Sequence, residues 1–188
     1  MDVAVAAVAE LVSSIVPFDA VESRQRAEVL RWLGATGDVF RREKPATPPR
    51  HLVSYVVPVD PASGAVLLCA HRNAGLWLPP GGHVEPGEHP ADTARRELAE
   101  ELGVSAGVAA RPGFLTVTTT VGVDAGHEDV SLWFEAAVSR ATVLRPDAGE
   151  FVAVRWWSPE EVTAAGEGEF DPHFGRFLVK RRTSTDAT

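Results

Sequence analysis

The feature that most constrains this chain is residues 81–103, where a glycine-rich loop leads into an acidic helix. The paired glycines Gly81 and Gly82 allow a tight loop whose backbone can approach a ligand closely. Pro90 favours the first turn of a helix, and Gly103 favours its end. The sequence therefore predicts a loop followed by a helix of about three turns.

Three carboxylates of this helix stand at positions i, i+3 and i+4: Glu97, Glu100 and Glu101. Residues at these spacings share one face of a helix, so their negative charges are crowded. A divalent cation with oxygen ligands would relieve the repulsion, and Mg²⁺ is the usual candidate. The spacing thus predicts a metal-binding helix.

The same stretch carries a motif that can be written Gly82-x5-Glu88-x7-Arg96-Glu97-Leu98-x-Glu100-Glu101-x-Gly103-Val104. It resembles the Nudix box, and each defined position is met. The resemblance implies a Nudix-type α/β/α sandwich around a mixed β-sheet. It also implies an Mg²⁺-dependent pyrophosphohydrolase that cleaves a nucleoside diphosphate linked to another moiety, with Mn²⁺ as a substitute metal.

Roles for the box residues follow from the resemblance. Arg96 would orient the box glutamates rather than contact phosphate. The predicted metal ligands are the carbonyl of Gly81 and the carboxylates of Glu88, Glu97, Glu100 and Glu101. The two nearby histidines, His83 and His89, are interpreted as a loop residue and a helix cap.

The general base is left open between two glutamates. Glu101 lies inside the box, whereas Glu150 lies on a loop before a strand that carries Trp156, a position that resembles the base of several Nudix branches. Glu128 and Asp129 are further candidates. For substrate binding, Arg72 is predicted to hold a phosphate or ribose and Trp77 to stack on a base.

The substrate stays open among nucleoside triphosphates, nucleotide sugars and related diphosphates. Residues 118–121 lack the proline that is typical of ADP-ribose hydrolases at this position. The only tyrosine, Tyr55, does not lie where dinucleoside polyphosphate hydrolases carry a tyrosine. The signatures of coenzyme A and NADH hydrolases are missing too. An alternative function is a Nudix-fold module that senses a nucleotide without turnover, although such modules often have damaged boxes.

The sequence as a whole is predicted to divide into three regions. These are an N-terminal helical extension and linker at 1–45, a Nudix domain at 46–182 and a disordered tail at 183–188. Apolar residues at helical spacing and the capping pair Asp19 and Glu22 predict a helical hairpin, with Gly34 ending its second helix. Because the apolar stripe needs a partner, the hairpin is expected to pack on the core or on a second subunit as a homodimer. A last helix is predicted from Asp171 to about Lys180.

Composition limits the partners. The net charge of −8 argues against a nucleic acid polymer, whereas a small nucleotide remains acceptable when cations are bound. The single cysteine, Cys69, lies in an apolar run and predicts a buried, inert thiol. No segment has membrane-spanning length, and Met1-Asp2 opens without the basic region of a signal peptide, so we expect a cytoplasmic protein with no membrane partner.

Overall fold

A computed structural model describes residues 3–43, 47–121, 125–166 and 168–185. The described helices are α1 (Val3–Ser14), α2 (Ala20–Ala35), α3 (Pro90–Leu102), α4 (Pro159–Ala165) and α5 (Phe174–Thr185). The strands are β1 (Arg50–Val59), β2 (Val66–His71), β3 (Trp77–Leu78), β4 (Gly81–His83), β5 (Phe114–Thr119), β6 (Glu128–Ala137) and β7 (Phe151–Trp157). Within the described ranges, no helix is both long and apolar enough to cross a bilayer.

The strands form one mixed sheet in the order β3-β2-β1-β6-β5, with β4 paired to β1 and β7 to β2. At its centre β1 and β6 run parallel, so that His51 lies opposite Asp129 and Tyr55 opposite Trp133. Strands β5 and β6 pair antiparallel. The parallel pair matters for function because it brings the starts of two distant strands to the same edge.

Two apolar clusters cover the two faces of the sheet. Leu52 and Val56 of β1 belong to the cluster that contains α1, α2 and α3. Val57 and Val59 belong to the opposite cluster, against α4 and α5. Successive strand residues point to opposite faces, so this alternation makes three layers and confirms the predicted α/β/α sandwich.

The N-terminal hairpin is an integral part of the first layer. Asp19 caps α2 by accepting a hydrogen bond from the backbone N–H of Glu22 at 2.7 Å. The carboxylate of Glu22 is buried and accepts from the backbone N–H groups of Phe18 and Leu115 and from Nζ of Lys180. It thereby ties α2 to strand β5 and to helix α5 on the far side of the sheet.

Element ends differ from the sequence expectations in several places. Helix α2 passes Gly34 and ends at Ala35, where Thr36 donates its N–H to the carbonyl of Trp32. Helix α5 begins at Phe174, because Asp171 closes a turn by accepting from the N–H of His173. It continues to Thr185, so residues 183–185 of the expected tail are helical. Residues 44–46 of the linker and 186–188 of the tail lie outside the described residues, and the domain boundaries stay a prediction.

Candidate active site

The glycine loop and helix α3 open onto a cleft of about 840 Å³. The cleft wall combines box residues with residues from distant parts of the chain. Its carboxylates include Glu97, Glu101, Glu150 and Asp171, and its apolar side chains include Leu76, Leu78 and Phe170. Charged and apolar groups in one cleft suit a ligand that has both a charged and an aromatic part.

Helix α3 has the ends that the sequence predicts. His89 caps it, with Nδ1 accepting from the N–H of Ala91 at 3.2 Å, and Pro90 follows as the first helical residue. Gly103 ends it in the left-handed conformation with φ of 65°, which a glycine adopts without strain. Buried Leu98 and Leu102 fix the helix on the sheet, Glu101 is buried beside them, and Glu100 lies on the exposed rim.

The two glycines of the loop are required by close approaches. A Cβ built on Gly81 would overlap the carbonyl oxygen of Ser54, and one built on Gly82 would overlap the carboxylate of Glu97. Strand β4 therefore presses against β1 on one side and against the acidic helix on the other. The N–H of Gly81 donates to Oε2 of Glu101 at 3.1 Å, which fixes that carboxylate at the cleft.

Glu97 and Glu101 are two adjacent carboxylates withdrawn from water. Glu101 is 4% exposed, and burial together with the charges of Glu97 and Glu150 raises its pKa to about 9. Burial also raises the pKa of Glu97, although Arg96 opposes this. The pKa of a carboxylate rises when it is withdrawn from water and placed near other negative charges. The raised pKa values of Glu97 and Glu101 therefore indicate negative charge that the described side chains only partly compensate.

Arg96 organises the acidic side chains of the box. Its guanidinium donates to both oxygens of Glu88 at 3.0 Å and to Oε1 of Glu97 at 2.7 Å. A longer bond of 3.2 Å reaches Glu100, which lies on the rim with 61% of its side chain exposed. The arrangement agrees with the predicted orienting role of Arg96.

The structure gives Glu88 contacts that differ from those of the predicted metal ligand. Besides Arg96, its carboxylate accepts from the hydroxyl of Thr93 at 2.7 Å and from the N–H of Glu85. Glu88 is also absent from the side chains described as lining the cleft. With its oxygens bound in this way, Glu88 holds Arg96 and the start of α3, and its role as a metal ligand stays a prediction.

Glu150 faces the cleft from the loop before β7, as its sequence position suggests. Its Oε1 lies 3.9 Å from Nε2 of His71, and 45% of the side chain is exposed. The loop is held at both ends, because the N–H of Asp147 donates to the carbonyl of Glu101 and the N–H of Arg72 donates to the carbonyl of Glu150. Glu150 is therefore a fixed, hydrated carboxylate close to Glu101.

The two predicted substrate-binding residues do not line the cleft. Arg72 directs its Nε to the carbonyl of Ala148 at 3.2 Å, so it anchors the Glu150 loop. Trp77 packs edge-on against Trp157 at 5.2 Å between ring centroids, within the apolar cluster on the α4–α5 face. The sequence could not exclude these two residues, because the direction of a side chain near a strand end depends on pairing that the sequence does not give.

Several cleft residues were not predicted. Arg41 and Arg42 of the N-terminal extension reach the wall, and Arg96 is the only other lysine or arginine among its described residues. Asp171 is buried, which raises its pKa to about 6. His127 also lines the cleft next to Asp129, which the sequence offers as a further candidate base, and the i, i+2 spacing of these two is a sequence signal for a shared strand face.

The residues present fit a bound divalent cation. Glu97 and Glu101 both line the cleft, and the backbone of Gly81 and Gly82 lies against these two carboxylates. Glu100 stands one position away on the rim. Oxygen ligands of this kind suit Mg²⁺ or Mn²⁺.

Comparison with known proteins agrees with this site. A family model described as NUDIX domain matches residues 49–177. The asymmetrical bis(5'-nucleosyl)-tetraphosphatase of Sus scrofa is 52% identical over 42 residues, which make up 22% of this chain and 29% of that protein. The nucleoside triphosphatase NudI of Escherichia fergusonii is 45% identical over 55 residues, 27% of this chain and 39% of that protein. The chain thus spans about a third of the length of these relatives.

A solved structure supports the fold independently. The crystal structure of a C. elegans Ap4A hydrolase binary complex superposes with a TM-score of 0.57 at 17% identity, covering 73% of this chain and 98% of that one. At this identity the likeness concerns the fold alone. The family model begins after the N-terminal hairpin, so α1 and α2 lie outside the matched region.

Proposed function

The chain belongs to the Nudix family, and we propose that it hydrolyses a pyrophosphate bond in a nucleoside diphosphate linked to another moiety. One observation carries the proposal: the buried carboxylate of Glu101 and the largely buried carboxylate of Glu97, whose side chain is 12% exposed, line a cleft large enough for a nucleotide. Such a pair serves no purpose in packing, because burying uncompensated charge is costly. It does serve to hold a divalent cation against a phosphate.

Mg²⁺, or Mn²⁺ in its place, would be held by Glu97, Glu101, the rim residue Glu100 and a backbone carbonyl at Gly81, and would neutralise charge on the diphosphate. Arg96 keeps these carboxylates oriented through its bond to Glu97. Glu88 acts indirectly on these carboxylates, because it fixes the guanidinium of Arg96.

We assign the general base to Glu150. Its carboxylate is hydrated and lies outside the metal-binding helix, so a cation on that helix would lower its proton affinity less than that of Glu101. The anchored loop holds it on the cleft wall, near enough to Glu101 for its charge to raise the pKa of that residue. Glu150 would accept the proton of an attacking water as its oxygen bonds to phosphorus and the bridging P–O bond breaks, the departing phosphate keeping the electron pair of that bond.

Arg41 and Arg42 supply positive charge from outside the Nudix core. Arg42 is paired with Asp38 at 2.8 Å on an exposed surface, an interaction weak enough to be exchanged for a phosphate. We propose that Arg41 and Arg42 contact the outer phosphates of the substrate. The extension would thereby form part of the substrate site, which favours a substrate with a long phosphate chain.

The proposed substrates are therefore nucleoside polyphosphates, namely nucleoside triphosphates and dinucleoside tetraphosphates, ahead of nucleotide sugars. The two relatives named for these compounds share short segments with this chain, and their names support the class only. The alternative of a sensor without turnover has less support, because every defined box position is present.

The test is a release assay for phosphate and pyrophosphate over a panel of these nucleotides, with Mg²⁺ and with EDTA. We expect turnover of at least one polyphosphate with Mg²⁺ and none with EDTA. Glu97→Gln should abolish turnover, whereas Glu160→Gln, on the exposed surface of α4, is the matched control and should not change it. Binding of a nucleotide without turnover by the wild-type protein would favour the sensor instead.

A further inference from the structure

A second cluster of ligand-type side chains lies beside the cleft and takes no part in the proposed hydrolysis. It consists of His51, His83, His127 and Asp129, which we call the histidine cluster. We propose that the histidine cluster binds one transition-metal ion of the Zn²⁺ type, separate from the cation held by the box glutamates. This ion would join the ends of three strands at the cleft wall.

The sheet topology assembles the histidine cluster from distant segments. His51 of β1 lies opposite Asp129 of β6 in the parallel pair. His83 ends β4, where it pairs with Val53 of β1, and His127 immediately precedes β6. One ligand atom from each of the four members lies within 4.8 Å of every other.

The distances from His51 and His127 to Asp129 match those between neighbouring ligand atoms around a small four-coordinate ion. Nε2 of His51 lies 3.3 Å, and Nε2 of His127 3.4 Å, from the same oxygen, Oδ1 of Asp129. Around a tetrahedral Zn²⁺ with bonds of roughly 2.0–2.1 Å, neighbouring ligand atoms are roughly 3.3–3.4 Å apart. These two distances fit such an ion, and the remaining ligand atoms, all within 4.8 Å of one another, would move inward to complete its coordination.

Hydrogen bonds behind the rings turn their lone pairs inward. Nδ1 of His51 lies 2.8 Å from the carbonyl of Pro48, which can only accept, so Nδ1 carries a proton and Nε2 is the ring nitrogen that can bind a metal. Nδ1 of His127 likewise contacts the hydroxyl of Thr120 at 3.1 Å. Such outer contacts are typical of metal-binding histidines, because they fix the tautomer and the ring orientation.

Two of the converging atoms are buried without a hydrogen bond. Nε2 of His51 and Oδ1 of Asp129 face each other across 3.3 Å, yet their geometry is not that of a hydrogen bond. Two acceptors that face each other at this distance repel, and a buried polar atom without a partner is costly. A cation between them removes both penalties.

The ligand types decide which metal fits. Three imidazoles and one carboxylate suit Zn²⁺, Co²⁺ or Ni²⁺, whereas Mg²⁺ prefers six oxygen ligands. Four protein ligands leave no open position on a tetrahedral ion, which is typical of a structural site. Because His83 and Asp129 also line the cleft, the ion would fix this wall of the substrate site without taking part in the reaction.

The experiment uses the full chain in excess Mg²⁺, so that the box glutamates are occupied. Zn²⁺ content after gel filtration and the absorption of a Co²⁺ derivative are measured. We expect one equivalent of Zn²⁺ per chain and the intense visible bands of four-coordinate Co²⁺, as well as a higher Tm with Zn²⁺. Asp129→Asn and His127→Gln should lose both the ion and the bands.

Two variants serve as controls. His173→Gln removes a histidine that contacts Arg176, and Glu97→Gln removes a box carboxylate, so both should keep the Zn²⁺ and the Co²⁺ bands. The proposal is overturned if the wild-type protein retains no Zn²⁺, if its Co²⁺ spectrum is that of a six-coordinate ion, or if Glu97→Gln loses the metal as Asp129→Asn does. Loss of hydrolysis alone would bear on the box and not on the histidine cluster.

Discussion

The most informative change for the fold is Glu22→Ala, because Glu22 joins the N-terminal hairpin to both other layers. Its side chain is fully buried and accepts from Phe18, from Leu115 on strand β5 and from Lys180 on helix α5. Truncation leaves the ammonium of Lys180, which is only 12% exposed, without this partner. It also leaves the N–H of Leu115 without its acceptor.

The size of the effect follows from the burial. Removing one partner of a buried ion pair costs about 3–5 kcal/mol, because the other charge stays in a poorly solvated position. For a chain of this size each kcal/mol lowers Tm by roughly 2–4 °C, so we expect a fall of roughly 6–20 °C. Adding Lys180→Met to the variant should recover part of the loss, because no buried charge then remains.

The assay is urea unfolding followed by tryptophan fluorescence, with thermal unfolding beside it. Asp38→Ala is the control, since it breaks an exposed ion pair with Arg42 and should change the free energy of unfolding by no more than about 1 kcal/mol. Two results would refute an integral hairpin. One is a loss of less than about 1 kcal/mol in the free energy of unfolding for Glu22→Ala. The other is a double variant, with Glu22→Ala and Lys180→Met, whose loss equals the sum of the two single losses.

Three further outcomes are expected. Glu150→Gln should lower kcat by roughly 10²–10⁴ with little change in KM, as measured by steady-state kinetics; an unchanged rate would move the base to Glu101. Gly82→Ala should abolish turnover while far-UV circular dichroism stays native, since the new methyl group displaces the carboxylate of Glu97. Hydrogen bonds from Arg176 lower the pKa of Asp19 from 3.8 to about 2, so its charge stabilises the fold above pH 3.8 and this contribution is lost as the pH falls towards 2. Asp19→Asn should accordingly cost about 1 kcal/mol at neutral pH, and this cost should shrink as the pH falls from 3.8 through about 2, as measured by unfolding at each pH.

The sequence predicts the local parts of this molecule well. Helix α3, its histidine cap and its glycine end all follow from residues within a few positions of one another. The position of Glu150 in the cleft also agrees with its place before a late strand. These features depend on backbone preferences and on a motif, both of which a sequence displays directly.

Features that depend on long-range pairing were missed. Arg72 and Trp77 adjoin the box in sequence, yet one anchors a loop and the other packs in the apolar core. Conversely, His51 and Asp129 are far apart in sequence, and only the parallel pairing of β1 with β6 brings them together. Burial and strand register decide both cases, and neither can be read from neighbouring residues.

Metal-dependent hydrolysis at the box glutamates is tested most directly by the rate of product release from the best polyphosphate substrate as Mg²⁺ is titrated. The rate is measured for the wild-type protein, Glu101→Gln and the surface control Glu160→Gln. We expect the wild-type protein and the control to gain activity together as Mg²⁺ rises. Glu101→Gln should stay at least about a hundredfold slower at every concentration. Near wild-type rates in Glu101→Gln, or full wild-type activity in EDTA, would contradict a metal-dependent hydrolase centred on the buried carboxylates.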